Sequence, residues 1–559
     1  MMNLARRAET TGKRLAKGLV GAVSPRLLRS IQLARARSYY LHEPTRGPRR
    51  VLLEPTTGCG HHCQMCPEHS PWLSQPTPTR SIPFPQVESL LRDLASLEVE
   101  EVWLAGRGEP LAHPQAIEIF ELIGTLGMQS TLTTNGQRLT EARLDRLCDS
   151  QQVRDSSGAR AGLAQLSVSI DSGRPETYAF IHDAPAADRA RILSLIKRAS
   201  QRQGPKPKLL VSMVLTKPNS GEIMEFARDG IAAGVSGLVI AGMRPVPFDS
   251  GELALTETEW PRVRADLAEV RELATRAGVE LVTDNIPHDT VGQQLAAVLA
   301  PGAGASSCRT GAGRAPLGGT PEWPYSKLAC FIGHLFAVVD VNGYVHGCCT
   351  CQNKLGWLGE ASFREVWHSR PYRQFRRILR EMAGTGLTPP RCECRYGCGH
   401  IAENAAVQGE LGLQFAQRRG ESEYATRLEV ARAIWRHLGP VLPRREESVE
   451  FADLDHADVD EETRREVARL GGLGVFAGTG SLGSRPLFDP SRLLAWEELE
   501  EVVRRALRAS GSAEDAAARQ VKAARQRSGP APEPIKRIAL EAWLREVAGA
   551  AAVGPPSAG

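Results

Sequence analysis

Between Glu54 and Pro71 the chain reads EPTTGCGHHCQMCPEHSP, a stretch that holds three of the 12 cysteines in 559 residues. Cys59, Cys63 and Cys66 are separated by three and then two residues. Thiols this dense form either a disulfide knot or a metal site. Three thiolates at these spacings can each bind a different iron of a cubane cluster. The fourth iron then lacks a cysteine and keeps an open position, as a catalytic metal does. The competing reading is a zinc knuckle completed by His61, His62 or His69. Zinc ribbons favour paired Cys-x2-Cys knuckles, whereas here a single three-cysteine loop follows a strand, which favours iron and sulfide.

A second cysteine-dense stretch lies further along. Cys330 is followed by Gly343 and, after four residues, by Cys348, with Cys349 and Cys351 beside it. Cys392, Cys394 and Cys398 follow in PPRCECRYGCGH. Taken alone, these thiols could equally hold a structural zinc, with His400 as a further ligand. Cys148 and Cys308 have no cysteine nearby and read as a small buried apolar residue and a linker thiol.

The elements that must position these groups follow from the pattern. From about residue 50, short apolar runs alternate with amphipathic stretches: RRVLLEPTT then FPQVESLLRDLASL, VEEVWLAG then HPQAIEIFELIGTLG, and QSTLTTNG then TEARLDRLCDS. LAQLSVSID, KLLVSMVLT and VSGLVIAGMRP continue the series, each with helical sequence after it. Six such units predict a parallel sheet bent into a full or partial β/α barrel, with its site at the C-terminal ends of the strands. The first of those ends carries the cysteine loop. FAVVDVNGYVHG, with Asn-Gly at its turn, predicts a hairpin between Cys330 and Cys348, and SFREVWHSRPYRQFRRILREM a helix leading to the last cysteines.

The expected division is a basic helical arm over 1–47, an α/β core over 48–285, a Gly/Pro-rich linker over 286–327, a small cysteine-rich module over 328–410, and a helical extension with a mobile tail over 411–559. The 42 % hydrophobic and 24 % charged fractions belong to a globular protein, and a net charge of +5 implies no nucleic-acid partner. The N-terminus lacks the apolar centre of a signal peptide, and no apolar run is long enough to span a bilayer. A cytoplasmic setting is expected, where clustered thiols favour metal over disulfide.

EPTTGCGHHCQMCP resembles the cluster loop of the radical S-adenosylmethionine (SAM) superfamily, and other segments match in the expected order. LAGRGEPLAHP resembles the Gly-Glu-Pro motif after the second strand. The resemblance implies that Gly106, Gly108, Glu109 and Pro110 meet the amino group of SAM. TLTTNG, with Thr133 and Asn135, resembles the third-strand segment. LSVSIDSGRPETY resembles the fourth, with Ser169 and Asp171 facing the SAM carboxylate and ribose. LVIAGMRP would flank the adenine, and Met65 stands where the superfamily often has an aromatic residue. The fold implied is a partial (β/α)6 TIM-like barrel.

The second stretch resembles the twitch or SPASM extension of such enzymes. That resemblance implies an auxiliary [4Fe–4S] cluster held by thiols among Cys330, Cys348, Cys392, Cys394 and Cys398. The compressed last group favours one auxiliary cluster over two. The function implied is a radical SAM oxidoreductase. Reductive cleavage of SAM at the first cluster gives methionine and a 5′-deoxyadenosyl radical, which takes hydrogen from a small molecule or peptide, and the auxiliary cluster assists the oxidation. The electron donor implied is flavodoxin- or ferredoxin-like. The alternatives are a ribosomal-peptide maturase and, from another class, a non-catalytic iron–sulfur or zinc-binding regulator.

Overall fold

The computed structural model describes most of residues 39–286, 328–411 and 426–552, with short breaks. Cys308, Cys394, nearly all of the basic arm and nearly all of the Gly/Pro-rich linker lie outside the described residues. No described helix is long and apolar enough to cross a membrane.

One sheet of 11 strands organises the cysteine-bearing part of the chain. In chain order these are β1 (Arg50–Leu53), β2 (Glu101–Leu104), β3 (Gln129–Thr134), β4 (Gln152–Val153), β5 (Arg160–Ser169), β6 (Lys208–Leu215), β7 (Gly237–Gly242), β8 (Glu280–Asp284), β9 (Phe336–Val339), β10 (Tyr344–Cys348) and β11 (Cys351–Trp357). Strands β1, β2, β3, β5, β6, β7 and β8 run parallel in that spatial order, joined by helical crossovers, in a sheet that is not closed. The partial barrel expected from the sequence is borne out, and it is wider than six strands. β8 continues it beyond the sixth, and β9 adds parallel to the free edge of β1, with Arg50 opposite Phe336 and Leu53 opposite Val339. The hairpin β9–β10 and the antiparallel β10–β11 pair extend that edge.

Local chemistry explains the crossovers. In the helix Phe84–Ser96, Val87, Leu90, Leu91 and Leu94 recur on one face and are buried, and Pro85 sits in its first turn, where no N–H is needed. The helix Glu141–Asp149 starts where the Thr140 side chain accepts from Arg143 N–H, and it buries Cys148 as expected. Trp260–Ala277 ends at Gly278, which takes the left-handed conformation (φ 66°). The expected helix after β11 is two helices, Phe363–Trp367 and Arg370–Thr385, the first opened by a capping box between Ser362 and Glu365.

Strand alternation gives the sheet two unlike faces. Val51, Leu53, Val102 and Leu104 are fully buried, while Arg50, Glu101, Trp103, Thr131 and Thr133 form the other row. That row is polar and self-paired. Arg50 Nε donates to Glu101 (2.9 Å), Thr131 Oγ1 to Glu101 (2.6 Å) and Trp103 Nε1 to Thr133 Oγ1 (3.0 Å). A single hydrophobic core runs from Val51 to Leu411, joining barrel and cysteine-rich module. A second core belongs to the C-terminal helices between Arg427 and Ala552, around Ile434, Val503 and Trp543.

Candidate functional site

The loop that carries Cys59, Cys63 and Cys66 leaves β1 and is tied down from two sides. On one side the segment 78–82 runs back along it: Thr57 N–H donates to Arg80 O (2.9 Å), Ile82 N–H to Pro55 O (3.0 Å) and Thr57 Oγ1 to Pro78 O (2.7 Å). On the other side the turn after β2 packs backbone to backbone against it. A Cβ on Gly108 would lie 2.5 Å from Thr56 O and 2.6 Å from Thr57 C, so only glycine permits this approach. Gly106 has φ 115°, and a Cβ there would strike the Glu54 side chain.

Glu109 is the clamp of this turn. Its own N–H donates to Gly58 O (2.9 Å), which locks the β2 turn to the cysteine loop. Its buried carboxylate accepts from Leu111 N (3.0 Å), Thr134 Oγ1 (2.6 Å) and Asn135 N (2.7 Å). Burial pushes this carboxyl up, and the bonds from Thr134, Asn135 and Leu111 pull it back. A carboxylate offers about four acceptor positions, so three donors leave little for a ligand. Glu109 ties the ends of β2 and β3 together. Pro110 is buried in the first turn of the short helix Pro110–Ala112.

Each of the three sulfurs is met by at least one nitrogen. Cys59 Sγ accepts from His61 N and Asn135 Nδ2, both at 3.5 Å. Cys66 Sγ accepts from Glu68 N (3.4 Å) and His69 N (3.3 Å). Cys63 Sγ lies 3.2 Å from His182 Nδ1, and the other ring nitrogen of His182 is 3.2 Å from Ile170 O and 3.3 Å from Asp171 Oδ2. Burial raises all three thiols, which leaves them protonated until a metal cation supplies the opposing charge. Three thiols on one rigid loop, two of their sulfurs accepting from N–H donors, fit a cluster whose charge and potential depend on such bonds.

The structure also shows what the spacing could not. His182, 119 residues from Cys63, was not singled out in the sequence. The ligand atoms of His61, Cys63 and His182 lie within 4.8 Å of one another, and both ring nitrogens of the buried His61 have no hydrogen-bond partner. Of the other histidines weighed as zinc ligands, His69 meets Cys66 through its backbone, and His62 faces Asp183 at 3.7 Å. Burial, with His61 alongside, lowers His182 to about 3, so its imidazole is neutral.

The remaining sequence-derived residues collect at the same strand ends. Asp171 has left-handed backbone (φ 53°), and its carboxyl accepts from Val214 N at 2.6 Å. Burial pushes it up to about 7, against that bond. Asn219 Nδ2 holds the Asp171 carbonyl (2.7 Å). Ser169 Oγ is 3.5 Å from Ser212 Oγ on the neighbouring strand, and Thr133 accepts from Trp103. Asn135 caps its own turn through Gln137 N (2.9 Å), and Met65 is half-buried between the second and third cysteines. Glu54, at the end of β1, is nearly buried. Burial pushes its carboxyl up to about 7, Arg107 at 3.6 Å works the other way, and Asp340, Glu68 and Cys349 add to the rise.

The second cysteine group is built around the β9–β10 hairpin. There Asp340 fixes the hairpin: its carboxylate accepts from Asn342 N (2.8 Å), Tyr344 N (3.0 Å) and His346 Nε2 (2.9 Å), and Gly343 takes φ 80° at the turn. Cys348 and Cys349 close β10, and their sulfurs lie within 4.8 Å of each other and of a His400 ring nitrogen. Cys398 Sγ accepts from His400 N at 3.4 Å. Of the thiols expected as ligands, Cys392 lies against Cys351 across the module, and Cys330 Sγ faces Asn404 Nδ2 at 3.8 Å. Cys349 is drawn well below the ordinary thiol range by Cys348 and His400, against burial, and Arg244 beyond β7 contributes.

Residues 53–230 match the Radical SAM superfamily, and residues 330–399 match SPASM, an iron–sulfur cluster-binding domain. Among curated proteins, an AdoMet-dependent heme synthase of Methanosarcina barkeri is 29 % identical over 143 residues, 26 % of this chain and 37 % of the relative. A tungsten-containing aldehyde ferredoxin oxidoreductase cofactor-modifying protein of Pyrococcus furiosus is 23 % identical over 197 residues, 35 % of this chain and 52 % of that protein. The chain thus spans 37 % and 52 % of the length of these two relatives. Among solved structures, Streptococcus suis SuiB is similar at a TM-score of 0.45 and 15 % identity, over 69 % of this chain and 82 % of that one.

Proposed function

The chain is a radical SAM protein with a SPASM-type iron–sulfur domain, and we propose that it is an oxidoreductase acting on a C–H bond of a small molecule or a peptide. Its cofactors are SAM, a SAM-binding [4Fe–4S] cluster and auxiliary iron–sulfur. When bound, the first cluster supplies one electron to SAM and so a carbon radical able to take a hydrogen atom.

The chain's own residues have defined parts in this reading. Cys59, Cys63 and Cys66 would hold the SAM-binding cluster and leave it one position open to SAM. The backbone of Gly106–Pro110, held against the loop by the close approach of Gly108, would meet the SAM amino group. Glu109 and Asp171 are positioning residues, because their carboxyls are engaged by Leu111, Thr134, Asn135 and Val214. Ser169, Thr133 and Met65 line the remainder of the cofactor site.

One observation favours oxidation. The second cysteine group stands beside the first strand: Phe336, on which the His400 ring packs, pairs with Arg50 at the start of β1, whose far end leads into the first cysteine loop. An auxiliary cluster held there would stand along the strand from the first and, when bound, could take an electron from a substrate that has lost hydrogen, while the proton leaves to solvent. SAM is then a consumed oxidant. One 5′-deoxyadenosine is expected per product, carrying deuterium from a substrate labelled at the reacting carbon, with no S-adenosylhomocysteine. A redox-neutral isomer, or a product methylated from SAM, would overturn the oxidoreductase reading.

A further inference from the structure

We infer that His400 is a direct ligand of the second metal centre, together with Cys348, Cys349 and Cys398, and that Glu403 orients it. The inference rests on the iron–sulfur reading of this module and assigns a ligand that cysteine spacing does not reveal. His400 is buried, and its ring packs against Phe336 with centroids 5.1 Å apart. Nδ1 lies 2.8 Å from Glu403 Oε2, and Nε2 lies 3.7 Å from Cys349 Sγ. Glu403 is an acceptor, so Nδ1 carries a hydrogen, and Nε2, the nitrogen that faces Cys349, is the one a metal would take in exchange for any proton held there. A carboxylate behind a histidine whose far nitrogen faces a set of sulfurs is the arrangement that fixes the tautomer of metal-binding histidines.

Two further contacts make this a built site. Cys398 is drawn in by the His400 backbone N–H (3.4 Å), so thiol and imidazole arrive on one short segment ahead of the helix Ile401–Leu411. Glu403 is itself faced by Arg50 of β1 at 3.9 Å, and Arg50 is held by Glu101 at 2.9 Å, so the histidine's support is anchored in the barrel sheet. The alternative for the same residues is a metal-free thiol–imidazole contact with a purely structural role.

The test uses the full-length protein with Cys59, Cys63 and Cys66 changed to Ala, reconstituted with iron and sulfide so that only the second centre remains. Pulsed EPR of the reduced centre, on protein grown with 14N- or 15N-histidine, should show a directly bound nitrogen that changes with the isotope. The signal should vanish in His400→Cys, with iron content retained. Glu403→Gln should weaken metal retention against a chelator by roughly 10–100-fold. Absence of an isotope-sensitive nitrogen in the unsubstituted centre, which needs no variant to fold, overturns the inference. So does its persistence in His400→Cys, or failure of the module to take up metal. If zinc is taken up in place of iron, X-ray absorption showing three sulfurs and one nitrogen supports the ligand set, and four sulfurs overturns it. SAM cleavage by protein with its first loop intact reports on the catalytic reading separately.

Discussion

The two cysteine groups are built in opposite ways. The first takes its thiols from one loop of a few residues, and the fold's task is to freeze that loop between the 78–82 segment and the β2 turn. The second brings Cys348 and Cys349, at the end of a hairpin, beside His400 from the far end of the module, and its task is to bring distant segments together. A local site is specified by spacing and fails when its frame loosens. A composite site is specified by tertiary packing, so spacing alone does not say which of its thiols and histidines meet.

The sharpest break of this comparison is to remove the first group's thiols. Changing Cys59, Cys63 and Cys66 to Ala should abolish SAM cleavage while the second centre survives, iron falling from roughly eight to roughly four per chain. Loss of all iron would show that the two sites do not assemble independently.

Next in size is the frame of the local site. Glu109→Ala leaves three buried donors without an acceptor, at about 1–3 kcal/mol each, and should cost about 3–5 kcal/mol in urea unfolding as well as SAM binding. A loss below about 1 kcal/mol would remove Glu109 from the role of clamp. Gly108→Ala forces a methyl into the Thr56–Gly58 backbone, and about 1–3 kcal/mol of destabilisation is expected, with a fall in cluster loading of the first site alone. Equal losses at both sites would erase the distinction drawn between them.

The smallest effect belongs to the hairpin of the composite site. Burial works against the Asp340 carboxylate, but the bonds from His346 and the backbone N–H groups of Tyr344 and Asn342 hold it below its ordinary range. Its folded-state value is depressed, so its contribution is complete above the unfolded value of about 4 and fades as pH falls through the folded one. Asp340→Ala should therefore lower stability by about 1–2 kcal/mol at neutral pH, and the gap from the parent should close on acidification. A gap that is unchanged by acid would place the effect in packing rather than in charge.

Sequence alone determined the six alternating strand–helix units, the glycine turn after β2, the hairpin turn at Gly343 and the burial of Cys148. Each is governed by residues close in the chain: an apolar run, a cap, a positive φ, a 3.6-residue stripe. The nearness of Cys59, Cys63 and Cys66 was legible for the same reason. Only the tertiary structure decided that β9 would add to the free edge of β1, because a four-residue buried strand carries no mark of its partner. It alone brought His182 to Cys63, gave the Glu109 carboxylate to Thr134 and Asn135, laid Cys392 against Cys351, and set His400 beside Cys348 and Cys349. These are contacts between segments far apart in sequence, fixed by how strands register and helices pack. Residue types announce such chemistry, but only packing selects which of them meet.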